Sequence, residues 1–189
     1  MLAKQSKPTI LFIKSCSVPQ GLEIGYQTDE VAEHANWKDL LAWILHLAFK
    51  ERTVCLLEPA EGVDWDLSIA ELAPDVKLYQ FGPFVWRCAF LEGLTEEACR
   101  TLARSEAFFL NPIWLTSLGP SDLTRLKVLL KAKTQSPYFH PQTQEEFLYT
   151  DPDGYWLYWL NPHLSPLIIL EGLQTQASRL SWPIIKNII

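Results

Sequence analysis

Phe90-Leu91-Glu92-Gly93-Leu94 and Ile169-Leu170-Glu171-Gly172-Leu173 follow one pattern, an apolar run stopped by Glu-Gly and resumed by Leu. Cys55-Leu56-Leu57-Glu58-Pro59 is a looser third version. Short apolar runs bounded by turn-formers read as buried strands. After Gly93, Thr95 is a good N-cap. Glu96 and Glu97 then fall in the first helical turn, where carboxylates suit the positive end of the helix. The pattern therefore predicts strand-to-helix units, with Leu167–Leu170 as a strand and a shorter helix after the second Glu-Gly-Leu through Leu180.

Upstream, Thr9–Lys14 and Leu22–Tyr26 read as strands. Asn36 caps a helix reaching about Glu51, because Trp37, Leu40, Leu41, Ile44, Leu45 and Ala48 recur at helical spacing. Thr53–Leu57 closes a strand–helix–strand unit. Asp64–Leu72 reads as a short helix ended by Pro74, and Val76–Gln80 and Phe84–Leu91 as strands around Gly82-Pro83. Ser121 caps a helix ending near Lys133. Phe147–Thr150 and Tyr155–Leu160 flank the turn Asp151-Pro152-Asp153-Gly154, which makes a hairpin. The sum is an α/β or mixed α+β fold: a central mixed sheet with flanking helices, layered, plus an aromatic C-terminal β-hairpin. Residues 1–189 form one compact domain in this reading, with a loose N-terminus near 1–8 and an apolar tail over 182–189. In that tail, Ile184-Ile185 and Ile188-Ile189 have the spacing of one helical face.

A chain of 189 residues is long enough to bury a real core without staples. With 48% apolar and 20% charged residues it is too hydrophobic for extensive disorder. No apolar run approaches the roughly 20 residues of a membrane-spanning helix, and no secretory signal stands out. Cys16, Cys55, Cys88 and Cys99 form no CxxC and sit in or beside apolar runs, so the expectation is a cytoplasmic protein with reduced thiols. The net charge of −6 is unevenly spread, and residues 57–76 and 138–163 contain no lysine or arginine. Such a surface attracts phosphate poorly, which argues against nucleic acid. Arg125, Lys127, Lys131 and Lys133 are the main basic group.

Two groups of residues carry the chemical expectations. If the strands ending at Glu58, Glu92 and Glu171 are parallel, their carboxylates share the sheet edge where open α/β folds bind ligands. Asp64 and Asp66 would add oxygens suited to Mg²⁺ or Mn²⁺, giving a metal-assisted hydrolase or phosphoryl-transfer enzyme. Against that stand the local uses of a strand-end Glu, as a cap or a solvated side chain. Neither GxGxxG nor a Walker A loop is present, and no cofactor is expected outside this alternative. His34, His46, His140 and His163 lack a recognised metal spacing, although His140 and His163 flank the hairpin. Cys16, just after the first strand, is a candidate nucleophile only if a histidine approaches it.

The second group is Tyr155-Trp156-Leu157-Tyr158-Trp159-Leu160. A strand alternates its faces, and neither face here is ordinarily polar. Buried on both sides, the segment is core; exposed on one side, it is an apolar patch suited to a protein partner or a second copy. A small-ligand pocket is the third reading. The favoured expectation is a non-enzymatic protein-binding domain, regulatory or for assembly, with Tyr155, Trp156, Tyr158 and Trp159 as the contact group.

Overall fold

A computed structural model describes residues 9–17, 20–28, 33–59, 72, 77–81, 84–105, 114–122, 124–126, 145–151 and 154–187. Among the described residues the strands are β1 (Ile10–Ser17), β2 (Gln20–Gln27), β3 (Thr53–Pro59), β4 (Lys77–Phe81), β5 (Phe84–Glu92), β6 (Trp114–Thr116), β7 (Phe147–Thr150), β8 (Trp156–Leu160) and β9 (Ile184–Asn187). The helices among the described residues include α1 (Glu33–Phe49), α2 (Glu96–Arg104) and α3 (Pro166–Arg179), with a 3₁₀ turn at Pro120–Asp122. The nine strands form one mixed sheet in the order β4-β5-β3-β6-β7-β8-β2-β1-β9. Every neighbouring pair is antiparallel except β1 and β9, which are parallel.

The order contains two hairpin–helix–strand passages. β1 and β2 lead through α1 to β3, while β7 and β8 lead through α3 to β9. Each passage sets its last strand beyond the other's hairpin: β9 pairs with β1, and β3 lies past β6 from β7. The two hairpins meet at the middle of the sheet, where Gly21 pairs with Leu160 and Gly25 with Trp156.

α1, α2 and α3 pack on one face. Leu11, Ile13, Leu22, Ile24, Leu56, Leu148, Leu157 and Trp159 point into a core shared with Trp37, Leu41, Ile44 and Leu45 of α1, Leu102 of α2 and Ile169 and Leu173 of α3. The opposite face carries a smaller core, in which Cys55, Leu57, Cys88, Phe147, Tyr149 and Leu160 meet Leu118 and Leu126. Trp37 also fixes α1 to the hairpin turn, its indole Nε1 donating to the carbonyl of Gly154 at 2.7 Å.

The two Glu-Gly-Leu segments fold differently. The first is the expected strand-to-helix turn. Gly93 takes φ +76°, a backbone state costly for other residues, and Thr95 Oγ1 accepts from Ala98 N at 3.1 Å. The second lies inside α3, so Leu167–Leu170 is helix rather than strand. Ser165 caps that helix by accepting from Ile168 N, and Pro166 fits its first turn, where no amide partner is needed. Ile169, Leu173 and Ala177 then fall on one buried stripe. Gly172 serves close packing: a Cβ there would lie 2.6 Å from Cη2 of Trp43 on α1.

Other corrections are local. α1 begins at Glu33, so Asn36 is inside the helix, where its Nδ2 donates to Glu33 Oε2 at 2.9 Å. The tail forms β9 instead of a helical face, with Ile184 packed on the main core and Ile185 half exposed on the other side. Period-2 alternation beside β1 outweighs the short helical spacing. β6 is a strand with no counterpart in the sequence expectations. The expected Asp64–Leu72 helix, apart from Leu72, and most of the Ser121–Lys133 helix lie outside the described residues.

Candidate functional site

The sheet separates the aromatic hairpin into a side packed on the helices and a side that is partly open at Trp156 and Tyr158. Leu157 and Trp159 point to the helices and have no solvent exposure. Trp159 therefore leaves the expected contact group, because its indole is held inside. Trp156 and Tyr158 point to the opposite face and are half-buried, while Tyr155, just before β8, is 44% exposed.

Register builds this open face in rows. Ile185, Phe12, Gly25 and Trp156 occupy matched positions on β9, β1, β2 and β8. Gly25 is needed because the Trp156 ring lies across it, its Cε3 only 2.4 Å from where a Cβ would stand. Lys14 Nζ sits 4.5 Å from the Trp156 ring centroid, a cation–π distance, and Phe12 lies 6.1 Å from the same ring. The next row is Lys14, Glu23, Tyr158 and Tyr149, where Lys14 and Glu23 approach to 3.9 Å and Tyr149 stacks on Tyr158 at 5.0 Å. Ile185 at the strand edge is 50% exposed. The result is an aromatic and aliphatic strip bordered by the Lys14–Glu23 ion pair.

Tyr155 belongs to another cluster at the end of the hairpin. It packs 5.6 Å from Tyr26, which stacks on Trp37 at 4.6 Å and hydrogen-bonds through its hydroxyl to His34 Nδ1. Burial, then the neighbouring Tyr155, pushes the Tyr26 phenol well above its ordinary pKa. Close ring stacking leaves Tyr26 almost fully enclosed, so this cluster is packed core with Tyr155 as its exposed edge.

The carboxylate candidates do not share an edge. β3 and β5 are antiparallel, with Glu58 opposite Arg87 and Glu92 opposite Thr53. Glu58 and Glu92 thus stand at opposite ends of the pair, about 17 Å apart at roughly 3.4 Å per residue. Glu171 is on the exposed side of α3 rather than at a strand end. Asp64, Asp66 and His140 lie outside the described residues, as does the side chain of Cys16. Among the described residues, no group of three or more His, Cys, Asp or Glu could hold a metal ion.

Two polar features escaped the sequence reading. A cleft of about 320 Å³ runs between α1 and α2, lined by Asp39, Trp43, His46, Glu96, Arg100 and Arg104. Its arginines are already engaged: Arg104 with Asp39 at 2.8 Å, and Arg100 with Glu96 at 3.1 Å and Glu97 at 3.3 Å. The other feature joins Arg52, Glu146 and His163. Glu146 is buried, accepts from Trp159 Nε1 at 2.7 Å and pairs with Arg52 Nη1. His163 Nδ1 lies 3.1 Å from Glu146 Oε2 and 2.8 Å from Arg52 Nη1. These residues meet only through the sheet, which brings the starts of β3 and β7 beside the end of β8.

No described helix is long and apolar enough to cross a membrane. Compared with protein-family models, curated proteins and solved structures, the chain matches none.

Proposed function

We propose that this chain is a non-enzymatic protein-binding domain, serving regulation or assembly, that docks through the part of the sheet opposite α1 and α3 formed by β9, β1, β2 and β8. The carrying observation is the aligned strip of Ile185, Phe12 and Trp156, with Tyr158 in the next row, which remains partly open to solvent while Leu157, Trp159 and Leu160 are core. Large half-buried aromatics are effective anchors, because they add contact area with little further loss of side-chain freedom. Tyr155 extends the contact at the hairpin end. The partner is a protein or a second copy of the chain, met in the cytoplasm, where the free thiols of Cys55, Cys88 and Cys99 persist.

A photo-crosslinking residue in place of Ile185 tests this reading against the same residue in place of exposed Glu97 on α2. The expectation is specific protein crosslinks from position 185 that disappear when Trp156→Ala is added to a chain that still folds. Equal crosslinking from both positions, or crosslinks indifferent to Trp156, would remove the docking face.

A further inference from the structure

The Arg52–Glu146–His163 cluster has one carboxylate serving two possible cations. Glu146 comes from the residue before β7, Arg52 from the turn between α1 and β3, and His163 from the connection between β8 and α3. Their side chains are 2%, 31% and 36% exposed, so the carboxylate is sealed while the two bases reach solvent. Glu146 and Arg52 are the ionisable groups within hydrogen-bond reach of the His163 ring among the described residues. The first turn of α3, which follows His163, contributes no acidic residue.

Hydrogen bonding restricts the states available to this arrangement. A guanidinium only donates, so a hydrogen bond from Arg52 Nη1 at 2.8 Å uses the lone pair of His163 Nδ1, whereas the Glu146 oxygens at 3.1 and 3.2 Å use a proton there; one nitrogen cannot serve both at once. A neutral ring that accepts at Nδ1 carries its proton on Nε2. Protonation from solvent places a second N–H at Nδ1. The ring can then no longer accept from Arg52, and that new donor already lies 3.1 Å from Glu146 Oε2.

We propose that His163 is a proton-operated partner switch: neutral, it accepts from Arg52 at Nδ1; protonated, it donates from Nδ1 to Glu146 and gives up its bond to Arg52. The carboxylate stays ionised and paired in both states, and the only covalent change is the N–H bond formed with a solvent proton. Acidification thus unties the α1–β3 turn from the connection after β8, while Glu146 keeps its ion pair with Arg52. Burial, then the Arg52 charge, holds His163 below its ordinary pKa, which keeps the Arg52-bonded arrangement as the neutral-pH state. The device is independent of the docking face.

Nitrogen-15 NMR of the full chain across a pH series tests it. The expected results are an Nε2–H tautomer at neutral pH and an Arg52 Nε–H signal that moves with the same midpoint as His163. In Arg52→Gln the His163 midpoint should rise by about one pH unit or more, since Glu146 then serves the histidine alone. An Nδ1–H tautomer, an Arg52 signal that ignores His163, or an unchanged midpoint in Arg52→Gln would overturn the switch. If Arg52→Gln does not fold, the tautomer and the shared midpoint in the unmodified chain still decide the question.

Discussion

Trp159 donates its indole N–H to Oε1 of Glu146 at 2.7 Å, and both side chains are shut away from solvent. A carboxylate in such a place costs several kcal/mol in desolvation, which Arg52, the Trp159 indole and the backbone N–H of His163 offset. Glu146→Ala removes the acceptor and leaves Arg52 and the indole without it. The expected loss is about 3–5 kcal/mol in urea unfolding at neutral pH. Glu146→Gln keeps an acceptor for Trp159 and should lose less. A loss below about 1 kcal/mol for the alanine variant would mean that the cluster is solvated, as exposed pairs are.

The two neighbouring tryptophans should separate cleanly. Trp159→Ala empties a fully buried site and is expected to cost about 3–5 kcal/mol. Trp156→Ala removes a half-buried ring lying on Gly25, so its cost should be less than half as large. Parallel thermal and urea melts check this. Equal losses would show that the second sheet face is as much core as the first.

Gly21 lies under the backbone of the opposite strand, where a Cβ would come within 2.6 Å of the Trp159 carbonyl oxygen and 3.0 Å of Leu160 Cα. Neither atom can move without shifting β8. Gly21→Ala should therefore destabilise by about 1–3 kcal/mol, with amide chemical-shift changes centred on β2 and β8. A neutral or stabilising effect would contradict the close approach.

Because the folded pKa of His163 is depressed, the folded state binds this proton less readily than the unfolded chain. Stability from this group is present above the unfolded pKa of about 6.5 and is lost as pH falls through the folded value. Unfolding free energy measured from pH 7.5 to 5 should fall with acidity, and the slope should be reduced in His163→Phe. An identical slope in the variant would place the pH dependence elsewhere.

The buried thiols should be inert until the fold opens. Burial, then the charge of Glu96, pushes Cys99 up to about 12. A hydrogen bond with Cys88, and then burial, raises Cys55 as well. Iodoacetamide at pH 8 should label these positions at the rate of unfolding, read by mass spectrometry across a urea series. Rapid native labelling of Cys99 would contradict its burial.

Periodicity and turn chemistry made much of the architecture legible. Thr95 caps α2, the hairpin of β7 and β8 flanks Asp151 and Gly154, and the apolar spacing from Trp37 to Ala48 marks α1. The second Glu-Gly-Leu misled because a local pattern does not say whether its glycine makes a turn or admits a neighbour. Ser165-Pro166 held the missing information, since that pair starts a helix. The open and closed sides of the hairpin could not be read from alternation alone, because both sides are apolar and only the helix layer distinguishes them. Arg52, Glu146 and His163 were illegible as a group for a different reason: strands distant in the chain bring them together.

The meeting of β2 with β8 bears on how fast the chain reaches this state. Gly21 finds Leu160, and Leu11 finds Ile184, only after nearly the whole intervening chain has been gathered in. The entropy of closing such long loops falls due before the middle of the sheet yields any contact energy. Refolding is therefore expected on the slow side for a chain of this size. Its rate should respond to substitutions at the β2–β8 seam, such as Ile24→Val, more than to equally destabilising changes in β4 or β5.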